Sequence, residues 1–149
     1  MSTPTQRFHV DHEMSQALCI ARELALQNGR AACVNRAMRV AYAAHFRVLM
    51  EFFHDGRPDR NRDRRDLAVS DFTPPSSTRK PWSTRERKRF EAADKLVGHL
   101  SKGRARRHNA RREWGGPDDD TMIRQHIRDL FAAQPRAPNW FPLTAALLA

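Results

Sequence analysis

A chain of 149 residues, 40% hydrophobic and 30% charged, is long enough to bury one domain-sized core, and a mean hydropathy of -0.76 leaves length over for polar loops. Its net charge of +10 comes from 23 arginines against four lysines, a guanidinium excess that suits phosphate, although arginine, alanine and proline also share GC-rich codons. No run approaches the roughly 20 apolar residues of a membrane span, Met1 to Asp11 lacks an apolar signal core, and Cys19 and Cys33 show no zinc-type spacing; a cytosolic protein with buried free thiols and no metal or small-molecule cofactor is expected.

Residues 1–10 read as a flexible terminus. Asp11 is then placed as the N-cap of a first helix to Asn28, with Met14, Leu18, Ala21 and Ala25 at helical spacing and Gly29 as the stop. A second helix carries Val34, Met38, Ala41, His45, Val48 and Phe52 on one stripe and stops at His54-Asp55-Gly56. The sign-alternating run Arg57 to Arg65 has nothing apolar to bury and reads as a loop. Asp66 to Phe72 forms a single turn that drops Leu67, Val69 or Phe72 onto the body, before Pro74-Pro75 holds the chain extended.

Ser83-Thr84-Arg85-Glu86 is a capping box, and Phe90, Ala93, Leu96, Val97 and Leu100 continue it as a third helix from Thr84 to about Lys102. A basic loop with Arg104, Arg106, Arg107, Arg111 and Arg112 follows. Asp118-Asp119-Asp120 then suits the positive end of a fourth helix with Met122, Ile123, His126, Ile127, Leu130 and Phe131 on its apolar face. The segment 135–149 is an apolar tail that packs on the body or on a partner. The sum is an all-α, four-helix bundle-like domain over residues 11–134 with long basic loops.

Three blocks, His45-Phe46-Arg47-Val48-Leu49-Met50-Glu51-Phe52-Phe53, then Asp66 to Asp71-Phe72, then Lys95-Leu96-Val97-Gly98-His99-Leu100, resemble a group of small uncharacterised bacterial proteins with blocks HxRxLxxFF, DxxxxDF and NKxxAHL. Trp114 falls where that group often has a tryptophan, and the likeness spans about residues 34–131. The resemblance implies a helical bundle related to the HEPN superfamily of RNA-associated domains, many of which dimerise and some of which cleave RNA. In the cleaving members an arginine precedes a histidine by a short helical interval; here Ala92 stands where that arginine would be, and Asp94 replaces the asparagine. Arg7 to His12, Arg39 to His45 and Arg47 to His54 fit the interval elsewhere, about as many matches as chance supplies among seven histidines and 23 arginines.

His45, on the apolar stripe, reads as a core histidine bonded to backbone or a carboxylate before it reads as a catalyst. Arg47 is matched with Asp71 as an ion pair docking the turn onto the second helix, with a local Glu51 pair as the lesser contact. His99 lies among lysines away from the apolar face and is the best acid–base candidate. Arg104 to Arg112 is the best footprint for nucleic acid, though no aromatic side chains interleave to stack on bases. His9, Asp11 and His12 are set aside as metal ligands. The chain thus reads as a non-catalytic helical binding protein, with a second copy of itself and RNA as candidate partners. The alternatives are a metal-independent ribonuclease using His99 or His45 with Arg47, and a nucleic-acid binder without catalysis.

Overall fold

The first helix starts earlier than its apolar spacing indicates. Thr3 and Gln6 form a capping box around Pro4: the Thr3 amide donates to Gln6 Oε1 at 2.7 Å and the Gln6 amide to Thr3 Oγ1 at 3.2 Å. In the computed structural model, which describes residues 2–26, 32–57, 67–74, 80–98 and 114–149, helix α1 therefore runs Pro4–Leu26 and takes in most of the segment expected to be a loose terminus. Asp11 is not its cap. It lies buried within α1, where Val10, Met14, Ala17, Leu18, Ala21 and Leu24 face the core.

Helix α2, Ala32–Phe53, is buried along Tyr42, Ala43, Phe46, Leu49, Met50, Phe52 and Phe53. This face is rotated from the expected stripe, so Val34 and Val48 are exposed and His45 sits at the margin. The reason is that α2 lies between α1 and α3 and must bury a wide arc rather than one seam. The first turn of α2 projects beyond that packing, which leaves Cys33 exposed; Cys19 is half-buried, and both are free. The helix ends in a Schellman-type turn with Asp55 left-handed at φ 54°, the Gly56 amide donating to the Glu51 carbonyl at 2.7 Å.

Val69–Asp71 is a 3-10 turn, and it seats Ala68 and Phe72 in the core. Phe72 meets Phe52 edge-on and leans on Phe141, with ring centres 5.6 and 5.7 Å away. Helix α3, Thr84–Gly98, opens with the expected capping box: the Ser83 amide donates to Glu86 Oε2 at 2.7 Å and the Glu86 amide to Ser83 Oγ at 3.2 Å. Trp114 is buried against Phe46 with the Arg89 guanidinium over its ring. Helix α4, Pro117–Ala133, starts at Pro117 with all three aspartates in its first turn.

The apolar tail forms two short helices, α5 (Ala137–Trp140) and α6 (Pro142–Leu148), and α6 packs along α1. Asp11 accepts from the Leu143 amide at 3.1 Å, the Thr144 amide at 2.9 Å and the Thr144 hydroxyl at 2.7 Å. It therefore caps the start of α6 from the middle of α1. The fold is all-α, one bundle-like body with no strand among the described residues. No described helix is long and apolar enough to cross a membrane.

Candidate functional site

On one side of α2 a cleft of about 410 Å³ opens between α1, α2 and the 3-10 turn. Val10, Leu49, Phe52 and Leu67 give it apolar walls, Val48 stands at its mouth, and His9, Glu13, Arg47 and Glu51 supply its polar margin. Arg47, singled out in the sequence, lies here, and His45 lies behind the margin against Glu13. His45 Nδ1 meets Glu13 Oε2 at 2.7 Å, so the carboxylate it was expected to find comes from α1. Arg47 takes its acids from helices: Nη2 is 3.3 Å from Glu51 Oε1 one turn along, and Nε is 2.9 Å from Asp94 Oδ1 on α3.

In place of the expected pair with Arg47, the Asp71 carboxylate accepts the Ala68 amide at 2.9 Å and closes its own turn. The shift has a simple cause: Glu51 and Asp94 already flank the Arg47 guanidinium, and a short acidic side chain beside a helical turn finds the nearest backbone donor. Asp94 gathers a second guanidinium, with Arg57 Nη2 2.8 Å from Oδ2. A carboxylate at position 94 thereby ties α3 to α2 and to the segment that follows α2. His99 and the cluster Arg104, Arg106, Arg107, Arg111 and Arg112 lie outside the described residues.

A second constellation lies in the core, where three helices meet. The Schellman-type turn carries His54 inward at the end of α2, the capping box holds Glu86 in the first turn of α3, and the apolar face of α4 presents His126. All three are buried. Glu86 Oε1 is 2.8 Å from His126 Nε2 and 3.6 Å from His54 Nε2, while Oε2 accepts the Ser83 amide. His54 Nδ1 donates to the Lys80 carbonyl at 3.0 Å. Trp82 stacks on the His54 ring at 4.1 Å and Phe53 on the His126 ring at 5.0 Å.

Burial pushes the Glu86 carboxyl up, but the Ser83 hydrogen bonds and then the two imidazoles outweigh it and bring it down to about 2. Burial lowers His126, with His54 and Lys80 adding to the effect against the pull of Glu86, to about 4. At neutral pH the cluster therefore pairs an ionised Glu86 with a neutral His126 that donates from Nε2.

Sequence reasoning read these three residues as a helix stop, a capping box and part of an apolar stripe. Each reading describes the local role well. Forty residues separate Glu86 from His126, and no short spacing marks the set, so only the crossing of three helices reveals it. No family model, curated protein or solved structure matches this chain.

Proposed function

We propose that this chain is a non-catalytic helical binding protein whose ligand enters the cleft between α1 and α2. The observation that carries the reading is the cleft itself: its volume lies within the range of roughly 300–1,000 Å³ typical of small-ligand sites, and its apolar walls meet a polar margin that fixes orientation. Its polar margin is already engaged within the protein, Arg47 by Glu51 and Asp94 and Glu13 by His45. A guanidinium held between two carboxylates is a poor stabiliser of phosphorane charge, which favours binding over RNA cleavage for this face. The ligand class that suits it is an apolar body with hydrogen-bonding edges rather than a polyanion.

The same reading places the protein in the cytosol as a HEPN-like bundle. Its tail is spent on α1, so self-association would use exposed apolar residues such as Phe8, Leu26 and Val34.

The test pairs an environment-sensitive apolar fluorophore with total RNA. The fluorophore should bind the purified wild type, and Val48→Arg, which adds a charged side chain at the exposed mouth of the cleft, should weaken that binding about tenfold while leaving the helical circular dichroism intact. The RNA should remain whole with and without chelator, and the elution volume recorded alongside reports whether the protein pairs with itself. RNA cleavage lost in His99→Ala would replace this reading with the ribonuclease. RNA binding with steep salt dependence and no turnover would replace it with the nucleic-acid binder.

A further inference from the structure

We propose that His54, Glu86 and His126 form a binding site for a single transition-metal dication of the zinc type, which fastens the end of α2, the start of α3 and the face of α4 to one another. The inference stands apart from the cleft reading and rests on different residues. One potential ligand atom from each of the three lies within 4.8 Å of the other two, and no other such group of histidine, cysteine or acidic residues occurs among the described residues.

Two imidazole nitrogens and one carboxylate oxygen are donors for a borderline dication; calcium and magnesium prefer all-oxygen shells. The spacing fits. Bonds of about 2.0–2.1 Å in a tetrahedron set ligand atoms roughly 3.3 Å apart, and the separations of 2.8 and 3.6 Å from Glu86 Oε1 to the two imidazoles straddle that edge. Sub-ångström side-chain shifts would centre an ion.

The surroundings are those of a metal site. The Lys80 carbonyl can only accept, so His54 Nδ1 carries a proton and Nε2 is the ring nitrogen that faces Glu86. Ser83 fixes the Glu86 carboxylate through Oε2 and leaves Oε1 as the ligand atom. Imidazole nitrogens and a carboxylate oxygen thus lie together among aromatic rings, a donor set of the kind that binds zinc. On binding, the His126 proton moves from Nε2 to Nδ1 and the ring stays neutral. A cavity of about 120 Å³ lined by Phe53, Lys80, His126 and Asp129 borders one of the ligands and is large enough to hold a water.

The experiment strips the full-length protein with chelator, dialyses it against zinc and counts bound metal by mass spectrometry, with cobalt(II) as the coloured substitute. Wild type should take up one zinc per chain, raise its melting temperature by about 5 °C or more at a hundredfold excess over Kd, and give cobalt bands of tetrahedral intensity. Glu86→Gln, which can keep the capping box, and His126→Gln should each weaken zinc by at least about 100-fold, because even the outer partners of a metal site cost 10–100-fold. His12→Ala, which removes an exposed imidazole elsewhere, should change nothing.

Because a core variant can lose binding simply by failing to fold, the wild-type stoichiometry, melting shift and cobalt spectrum decide the matter by themselves. Stripped wild type that takes up no stoichiometric zinc and shows no melting shift overturns the proposal. So does wild-type zinc affinity in the folded Glu86→Gln, His126→Gln double variant, which would put the metal on other histidines.

Discussion

Asp11 shows how a single side chain can be read correctly in chemistry and wrongly in partner. A short carboxylate just ahead of an apolar stripe is a good helix cap, and Asp11 is one, but for α6 rather than for its own helix. It gathers two amides that would otherwise be orphaned at a helix start, together with the Thr144 hydroxyl. Asp11→Ala should therefore cost about 2–4 kcal/mol in urea unfolding, since buried donors lose a charged acceptor and no water replaces it. Asp11→Asn, with one carbonyl oxygen left to accept, should recover part of the loss. Equal midpoints for wild type and the alanine variant would show that the contact contributes nothing. Arg47 gives the same lesson from the other side: the expected local pair with Glu51 forms, but its partner across the bundle is Asp94 on the neighbouring helix and not Asp71.

At the scale of elements, local signals specify where helices begin and end more securely than which way they face. Thr3-Pro4-Thr5-Gln6 and Ser83 to Glu86 both carry the capping pattern, and both helices start there. The buried face of α2 could not be set by periodicity alone, because an apolar arc that includes Val34, Val48, Tyr42, Phe46 and Met50 exceeds what any one neighbour covers. The packing partners chose among them. Close packing also constrains the entry to α4: Gly115 has φ 75°, and a Cβ there would collide with Leu24 Cδ1 while only touching Tyr42. Gly115→Ala should destabilise by about 2–4 kcal/mol, combining a left-handed backbone penalty with overpacking against Leu24. Thermal unfolding of this one variant measures it. A change below about 0.5 kcal/mol would mean that the Leu24 end swings aside at no cost.

Across the whole molecule, the His54–Glu86–His126 cluster joins three helices and so couples protonation to global stability. With chelator present, His126 in the folded state titrates near 4 against an ordinary 6.5, and Glu86 near 2 against 4.5. The unfolded chain therefore binds more protons than the folded one throughout that interval, and stability must fall as pH falls. The loss should begin below about pH 6.5 with His126 and continue below about 4.5 with Glu86, approaching 1 kcal/mol per pH unit where one group dominates. Urea midpoints at pH 7, 6 and 5 test this; a flat profile over that range would show that His126 is not held neutral by burial.

By itself the sequence determined the class of the fold, the capping box that starts α3 and the end of α2, because caps, stops and periodicity act over a few residues and are written in consecutive positions. Only the tertiary structure decided that Asp11 caps a helix 132 residues away, that Arg47 reaches Asp94 rather than Asp71, and that a helix-end histidine, a capping glutamate and a stripe histidine share one buried point. Those contacts depend on the angles and offsets at which helices cross. Such offsets are set by the fit of whole side-chain surfaces, which no spacing along the chain records.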